Sequence, residues 1–172
     1  VRRALVIPMF ASLAFSGCGY HVGGKADLLP STLHTIAIPA FGNNTTRYKL
    51  TEILPGAIGR EFITRTRYRI VADPNEADAI LRGTVVSSAS YPIIFDQATG
   101  RASSIQMNVV IELKLVDRVS GKMLFERSRM ESHGRYEVTT NEIQYFDESS
   151  TALDRISREI ARQVVSSILE AF

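Results

Sequence analysis

From Ile105 to Asp117 the chain keeps the cleanest two-residue alternation in the sequence. Ile105, Met107, Val109, Ile111, Leu113 and Leu115 fall on one side, with Gln106, Asn108, Val110, Glu112, Lys114 and Val116 on the other. Successive side chains of a strand point to opposite faces, so this segment is a strand in a sheet with one buried and one open face. Such a sheet needs a second layer over its apolar side. The rest of the chain must supply partner strands and that cover.

The partner strands are visible as short runs between turn residues. His34 to Pro39 reads as a strand, broken by Pro39 and by Gly42-Asn43-Asn44. Tyr68 to Val71 is a second, ended by Asp73-Pro74-Asn75, and Ala79 to Ile94 a long third. Ser120-Gly121 turns the chain after Asp117 into a last strand, Met123 to about Tyr136. On that strand Met123 and Phe125 share a face with Arg127 and Arg129, so a face that starts apolar becomes basic.

Two helices complete the pattern. Leu50, Ile53, Leu54, Ala57, Ile58 and Phe62 recur at three- and four-residue spacing. Pro55 fits if Thr51 caps the helix and Pro55 lies in its first turn, where amide donors are free in any case; the helix then runs to about Thr66. From about Ser150 to Phe172, Leu153, Ile156, Ile160, Val164, Ile168 and Phe172 form a second stripe. Asp154 with Arg158, and Arg155 with Glu159, stand at pairing distance along it.

The order β-α-β-β-β-β-α implies a right-handed crossover between the first two strands, which become parallel neighbours. The later strands follow through short loops as an antiparallel meander. The expected fold is α/β: a two-layer sandwich with one mixed, mostly antiparallel sheet of four to five strands and two amphipathic helices on one face.

The N-terminus has a separate character. Arg2 and Arg3 precede an apolar run from Ala4 to Phe15, the pattern of a secretory signal peptide and too short for a membrane span. Ser16-Gly17-Cys18-Gly19 follows and resembles a bacterial lipobox, with Phe15 where leucine is usual. Cys18 is the single cysteine of the chain, so no disulfide framework exists and its thiol is free for lipid. The resemblance implies three acyl chains on Cys18, and two or more chains anchor stably. A cleaved secretory signal with an incidental cysteine is the other reading. Gly19, with no aspartate after the cysteine, favours the outer membrane. The expected organisation is a signal peptide over 1–17, a lipidated tether with Gly23-Gly24 and Pro30 over 18–31, and one domain over 32–172.

Without Arg2 and Arg3, basic and acidic residues balance at 18 each. A neutral chain lacks the basic footprint expected of a nucleic-acid binder. His21, His34 and His133 have no metal-ligand spacing, and no cofactor is expected beyond the lipid on Cys18. Nucleophile-elbow, phosphate-loop and dinucleotide motifs are missing from the sequence. Asp96, Glu112, Asp117 and Glu126 read as a solvated acidic set. Catalysis is not expected.

Several segments resemble the LptE family of lipopolysaccharide-assembly lipoproteins. They are Cys18-Gly19-Tyr20-His21-Val22, Leu29-Pro30, the strand Thr35 to Ala40 leading to Phe41-Gly42-Asn43-Asn44-Thr45, and Ala77-Asp78-Ala79 entering the long strand. The order of elements agrees over essentially the whole mature chain. The resemblance implies a protein held partly inside a large outer-membrane β-barrel partner, LptD, which it helps to fold and plugs, while binding lipopolysaccharide in transit. A polar open sheet face suits a polar barrel lumen. Lipopolysaccharide phosphates call for Arg and Lys, and the candidates are Lys114, Arg118, Arg127 and Arg129; the alternative is ordinary cross-strand pairing with Glu112 and Glu126. Ile93, Ile94 and Phe95 form an apolar strand end that either inserts into a partner or folds over the core. A rival class, similar to CsgG-like and LpoB-like periplasmic lipoproteins, shares the Ile36 to Phe41 strand and binds a secretion pore or a peptidoglycan synthase.

Overall fold

The computed structural model describes residues 33–171 apart from 47, 98 and 139–144. The signal segment, Cys18, His21 and the tether lie outside the described residues. The elements in order are β1 (Thr35–Ala37), β2 (Gly42–Asn43), α1 (Tyr48–Arg65), β3 (Arg69–Val71), β4 (Ala79–Phe95), β5 (Ala102–Asp117), β6 (Met123–Glu137) and α2 (Tyr145–Leu169). They form one open mixed sheet ordered β3-β1-β4-β5-β6, with β2 also paired to β4.

The expected crossover is present. β1 pairs in parallel with β3 through α1, and also in parallel with β4. β4, β5 and β6 form the antiparallel meander. The helices lie side by side, α2 against β6 and α1 against β3 and the start of β4. The alternation on β5 holds: Met107, Val109, Ile111, Leu113 and Leu115 are buried. They meet Leu50, Leu54, Ile58 and Phe62 of α1, and Ile156, Ile160, Val164 and Ile168 of α2, in one core.

Three local expectations are corrected. Gly42-Asn43 is a two-residue strand against Thr84 and Val85 where a break was expected. A Cβ on Gly83 would lie 2.4 Å from the Phe41 ring, so the bare backbone there lets Phe41 tuck in and bring the chain back to β4. Second, α1 begins at Tyr48, and the Thr51 hydroxyl donates to the Tyr48 carbonyl oxygen at 2.6 Å instead of capping. Pro55 therefore sits inside the helix, where it cannot bond the Thr51 carbonyl; burial of Leu50, Leu54 and Ile58 on either side of it carries the helix through. Third, α2 begins at Tyr145, and an ion pair on it joins Arg162 to Glu159. Arg155, expected to pair with Glu159, donates to the Arg135 carbonyl oxygen.

Asp78 locks the first strand to the meander. Its carboxylate accepts from the His34 and Thr35 N–H groups at 2.8 and 2.9 Å and from the Thr35 hydroxyl at 2.9 Å. These bonds, led by the His34 N–H, hold its pKa below the ordinary carboxylate value against some desolvation.

Candidate functional site

The site follows from a fault in the β5–β6 ladder. Pairing runs without a slip from Ser104↔Glu137 to Ile111↔Met130, then resumes at Leu113↔Arg127. Only Glu112 lies between the β5 partners, but Ser128 and Arg129 lie between those of β6. Two residues opposing one make a β-bulge, which reverses which side chains face the helices. Phe125 and Met130, five residues apart, are consequently both buried. Arg127, opposite the buried Leu113, is carried onto the helical side at the sheet edge while remaining exposed.

Arg127, Arg129 and Met130 face Gln163, Ser166 and Ser167 of α2 across a cavity of about 380 Å³. The helical residues recur at three and four positions, so they share one side of α2 next to its buried stripe. A third guanidinium holds one of these residues: Arg65 of α1 donates from Nη1 to the Ser166 hydroxyl at 2.7 Å. Arg65 also stands 3.6 Å from Glu61, and Arg129 pairs with Glu131 at 2.5 Å. Arg127 has no ion pair among the described residues. Two arginines, an amide and two hydroxyls around one opening form a set of hydrogen-bond donors suited to an anion with several oxygens.

The four basic residues singled out from sequence separate. Arg127 and Arg129 share the cavity. Lys114 lies on the open face, 3.1 Å from Glu126. Arg118 sits at the opposite end of β5, where its Nε donates to the Ala77 carbonyl oxygen at 2.6 Å and its backbone N–H to that of Asp78 at 2.8 Å. Gln163, Ser166, Ser167 and Arg65 were not anticipated, because no local pattern tells which side of a helix will border a strand edge.

The β4–β5 hairpin ends in exposed apolar surface. Beyond Val85 no residue of β4 is buried. Ile94 is 50% and Phe95 56% exposed, with Ile93 before them partly covered. Ladder irregularities flank Ile94. At the tip, Asp96 accepts from the N–H and hydroxyl of Thr99, both at 2.8 Å, and Gly100 takes a φ of 66°.

The remaining titratable residues are dispersed. The His34 N–H serves Asp78, and His133 is exposed on β6 opposite Asn108. Asp117 accepts from the N–H and hydroxyl of Ser120 in the β5–β6 turn, which lowers its pKa. Among the described residues no group of His, Cys, Asp and Glu could hold a metal ion. No helix among them is long and apolar enough to cross a membrane.

Solved structures share this fold at low sequence identity. Lipoprotein B from Nitrosomonas europaea superposes with a TM-score of 0.55 at 14% identity, covering 85% of this chain and 87% of its own. Rare lipoprotein B from Shewanella oneidensis gives 0.52 at 13%, covering 80% and 95%. The PelC dodecamer from Paraburkholderia phytofirmans gives 0.52 at 12%, covering 80% and 88%. A comparison with curated proteins finds no match. The lipopolysaccharide-assembly family LptE matches residues 33–168, from ahead of β1 almost to the end of α2. This chain belongs to the LptE lipopolysaccharide-assembly family.

Proposed function

We propose that this chain is an outer-membrane lipoprotein, anchored by acyl chains on Cys18, that assembles and plugs an LptD-like β-barrel and assists lipopolysaccharide insertion into the outer leaflet. It acts by binding and placement, without a reaction step or a cofactor. Family membership supports the general role. The observation that carries the finer reading is the cavity at the β6 bulge, where Arg127 and Arg129 face Ser166 and Ser167. Guanidinium forks bond phosphate oxygens in pairs, and partial enclosure by α2 reduces competition from water. Lys114 and Arg118, each already held by a protein acceptor, take a secondary place. Ile93, Ile94 and Phe95 at the hairpin tip supply the partner contact, since burying exposed apolar area there is favourable.

Two measurements test this reading. Affinity purification of the tagged, lipidated protein from envelopes in mild detergent should recover a one-to-one complex with a large β-barrel. Recovery of a peptidoglycan synthase, or of a ring of this chain alone, would move the assignment to the CsgG-like or LpoB-like class. Arg127→Glu with Arg129→Glu should reduce lipopolysaccharide binding at least about tenfold, as expected for loss of two charge-assisted contacts. Unchanged binding by a folded double variant removes the cavity from the function.

A further inference from the structure

We propose that the open face of the sheet around Tyr91, Gln106 and Asn108 is a saccharide platform that holds the sugar portion of lipopolysaccharide. The proposal rests on the lipopolysaccharide-assembly reading but concerns the face opposite the arginine cavity. Register places the residues in two rows across three strands. Tyr91 pairs with Gln106 and Gln106 with Arg135; Ala89 pairs with Asn108 and Asn108 with His133. The small Ala89 leaves the second row open beside Asn108.

The three central side chains are tied together, and the accounting of their donors fixes what they present outward. The Tyr91 hydroxyl oxygen accepts from Gln106 Nε2 at 3.0 Å and from Asn108 Nδ2 at 3.1 Å. Both lone pairs are then occupied, so the phenolic proton is directed away from the cluster as a donor. Gln106 Nε2 spends its second proton on Asn108 Oδ1 at 3.1 Å. That leaves Gln106 Oε1 as an acceptor and one Asn108 N–H as a donor. Donor, acceptor and donor thus stand within one cluster, with a tyrosine ring 41% exposed beside them. Vicinal sugar hydroxyls both donate and accept, and the C–H face of a pyranose packs on an aromatic ring. The mutual hydrogen bonds fix the rotamers in advance, so less side-chain entropy is lost on binding.

The charges on this surface are mixed. Glu131 and Glu137 lie on the same face of β6, bracketing His133 and Arg135, in register with Val110 and Ser104. Glu131 is held by Arg129, and the carboxylate of Glu137 accepts from hydroxyls. Ser104, on the same face of β5, is 3% exposed, and its hydroxyl has no partner among the described residues. Arg129 and Arg135 are six residues apart on β6, about 20 Å at the rise of a strand. β6 is the sheet edge, so one amphiphile reaches the cavity and the platform around its open side.

The test uses the full chain and the lipid-free core oligosaccharide released from lipopolysaccharide by mild acid, titrated by calorimetry, with dextran as control. The oligosaccharide should bind saturably and dextran should not. Gln106→Ala with Asn108→Ala should weaken binding about tenfold, and Tyr91→Phe, which keeps the ring, about threefold. If the double alanine variant does not fold, Tyr91→Phe carries the test. Absence of oligosaccharide binding, equal binding of dextran, or wild-type affinity in the folded platform variants overturns the proposal. Should intact lipopolysaccharide bind while the oligosaccharide does not, the platform fails and the cavity reading stands; should neither bind, both fail.

Discussion

Replacing Gly134 by alanine should loosen the seam between β6 and α2. A Cβ at Gly134 would lie 2.3 Å from Cγ1 of Ile156 and 2.9 Å from its Cδ1. Carbon atoms pack at about 3.5–4.0 Å, so the overlap exceeds roughly an ångström. Neither side yields easily. Gly134 is held opposite Met107 in the ladder, and Ile156 is 2% exposed within the core. Overpacking costs about 1–3 kcal/mol, and an overlap of this size belongs at the upper end of that range. Ile156→Ala alone leaves a cavity and costs about 2–5 kcal/mol. In the double variant the new methyl enters space that Ile156 has vacated. The joint cost should therefore fall short of the sum by at least about 1 kcal/mol. Urea denaturation of the wild type, both single variants and the double variant measures the four free energies. Additivity to within about 0.5 kcal/mol, or a neutral Gly134→Ala, would refute the close approach of α2 to this strand.

Two further perturbations separate structural residues from functional ones. Alanine at Ile94 and Phe95 should change the stability of the isolated protein by less than about 1 kcal/mol, because both are at least half exposed, whereas Leu113→Ala, fully buried, should cost about 2–5 kcal/mol; a hairpin-tip loss as large as the core loss would remove the motive for a partner there. Asp78→Asn should destabilise the protein by roughly 1–2 kcal/mol at neutral pH, since the carboxylate accepts three hydrogen bonds. Its folded pKa is lowered, so below its unfolded pKa the unfolded state binds more protons, and the contribution, fully present above that value, is lost as pH falls through the folded one. The stability gap to Asp78→Asn should therefore narrow below about pH 4, and a gap constant down to pH 2.5 in a denaturation series would contradict this.

What the sequence disclosed divides along a physical line. Features set by one element's own periodicity were legible: the buried face of β5, the stripe of α2, the parallel pairing of β1 and β3 implied by the intervening helix. Features set by a second element were not. Alternation along β6 put Met123, Arg127 and Arg129 on the face of Phe125, and the reading was sound for Phe125 and Arg127, whereas a register shift sets Met123 opposite Val116 on the open face. The bulge then exchanged the faces, so that Met130 is buried where alternation would expose it. A bulge is a property of a pair of strands, since it exists only as a mismatch in count between them. The helical wall of the cavity is non-local in the same sense: Gln163, Ser166 and Ser167 look like the polar flank of any amphipathic helix until α2 is laid along β6. Phe41 and Gly83 give the inverse case, two unremarkable residues whose contact turns a break into β2. Each missed feature thus joins segments distant in the chain, and the basic cavity is one of them. Its arginines are carried by the local sequence, but their convergence depends on one extra residue in a strand and on the helix that closes over it.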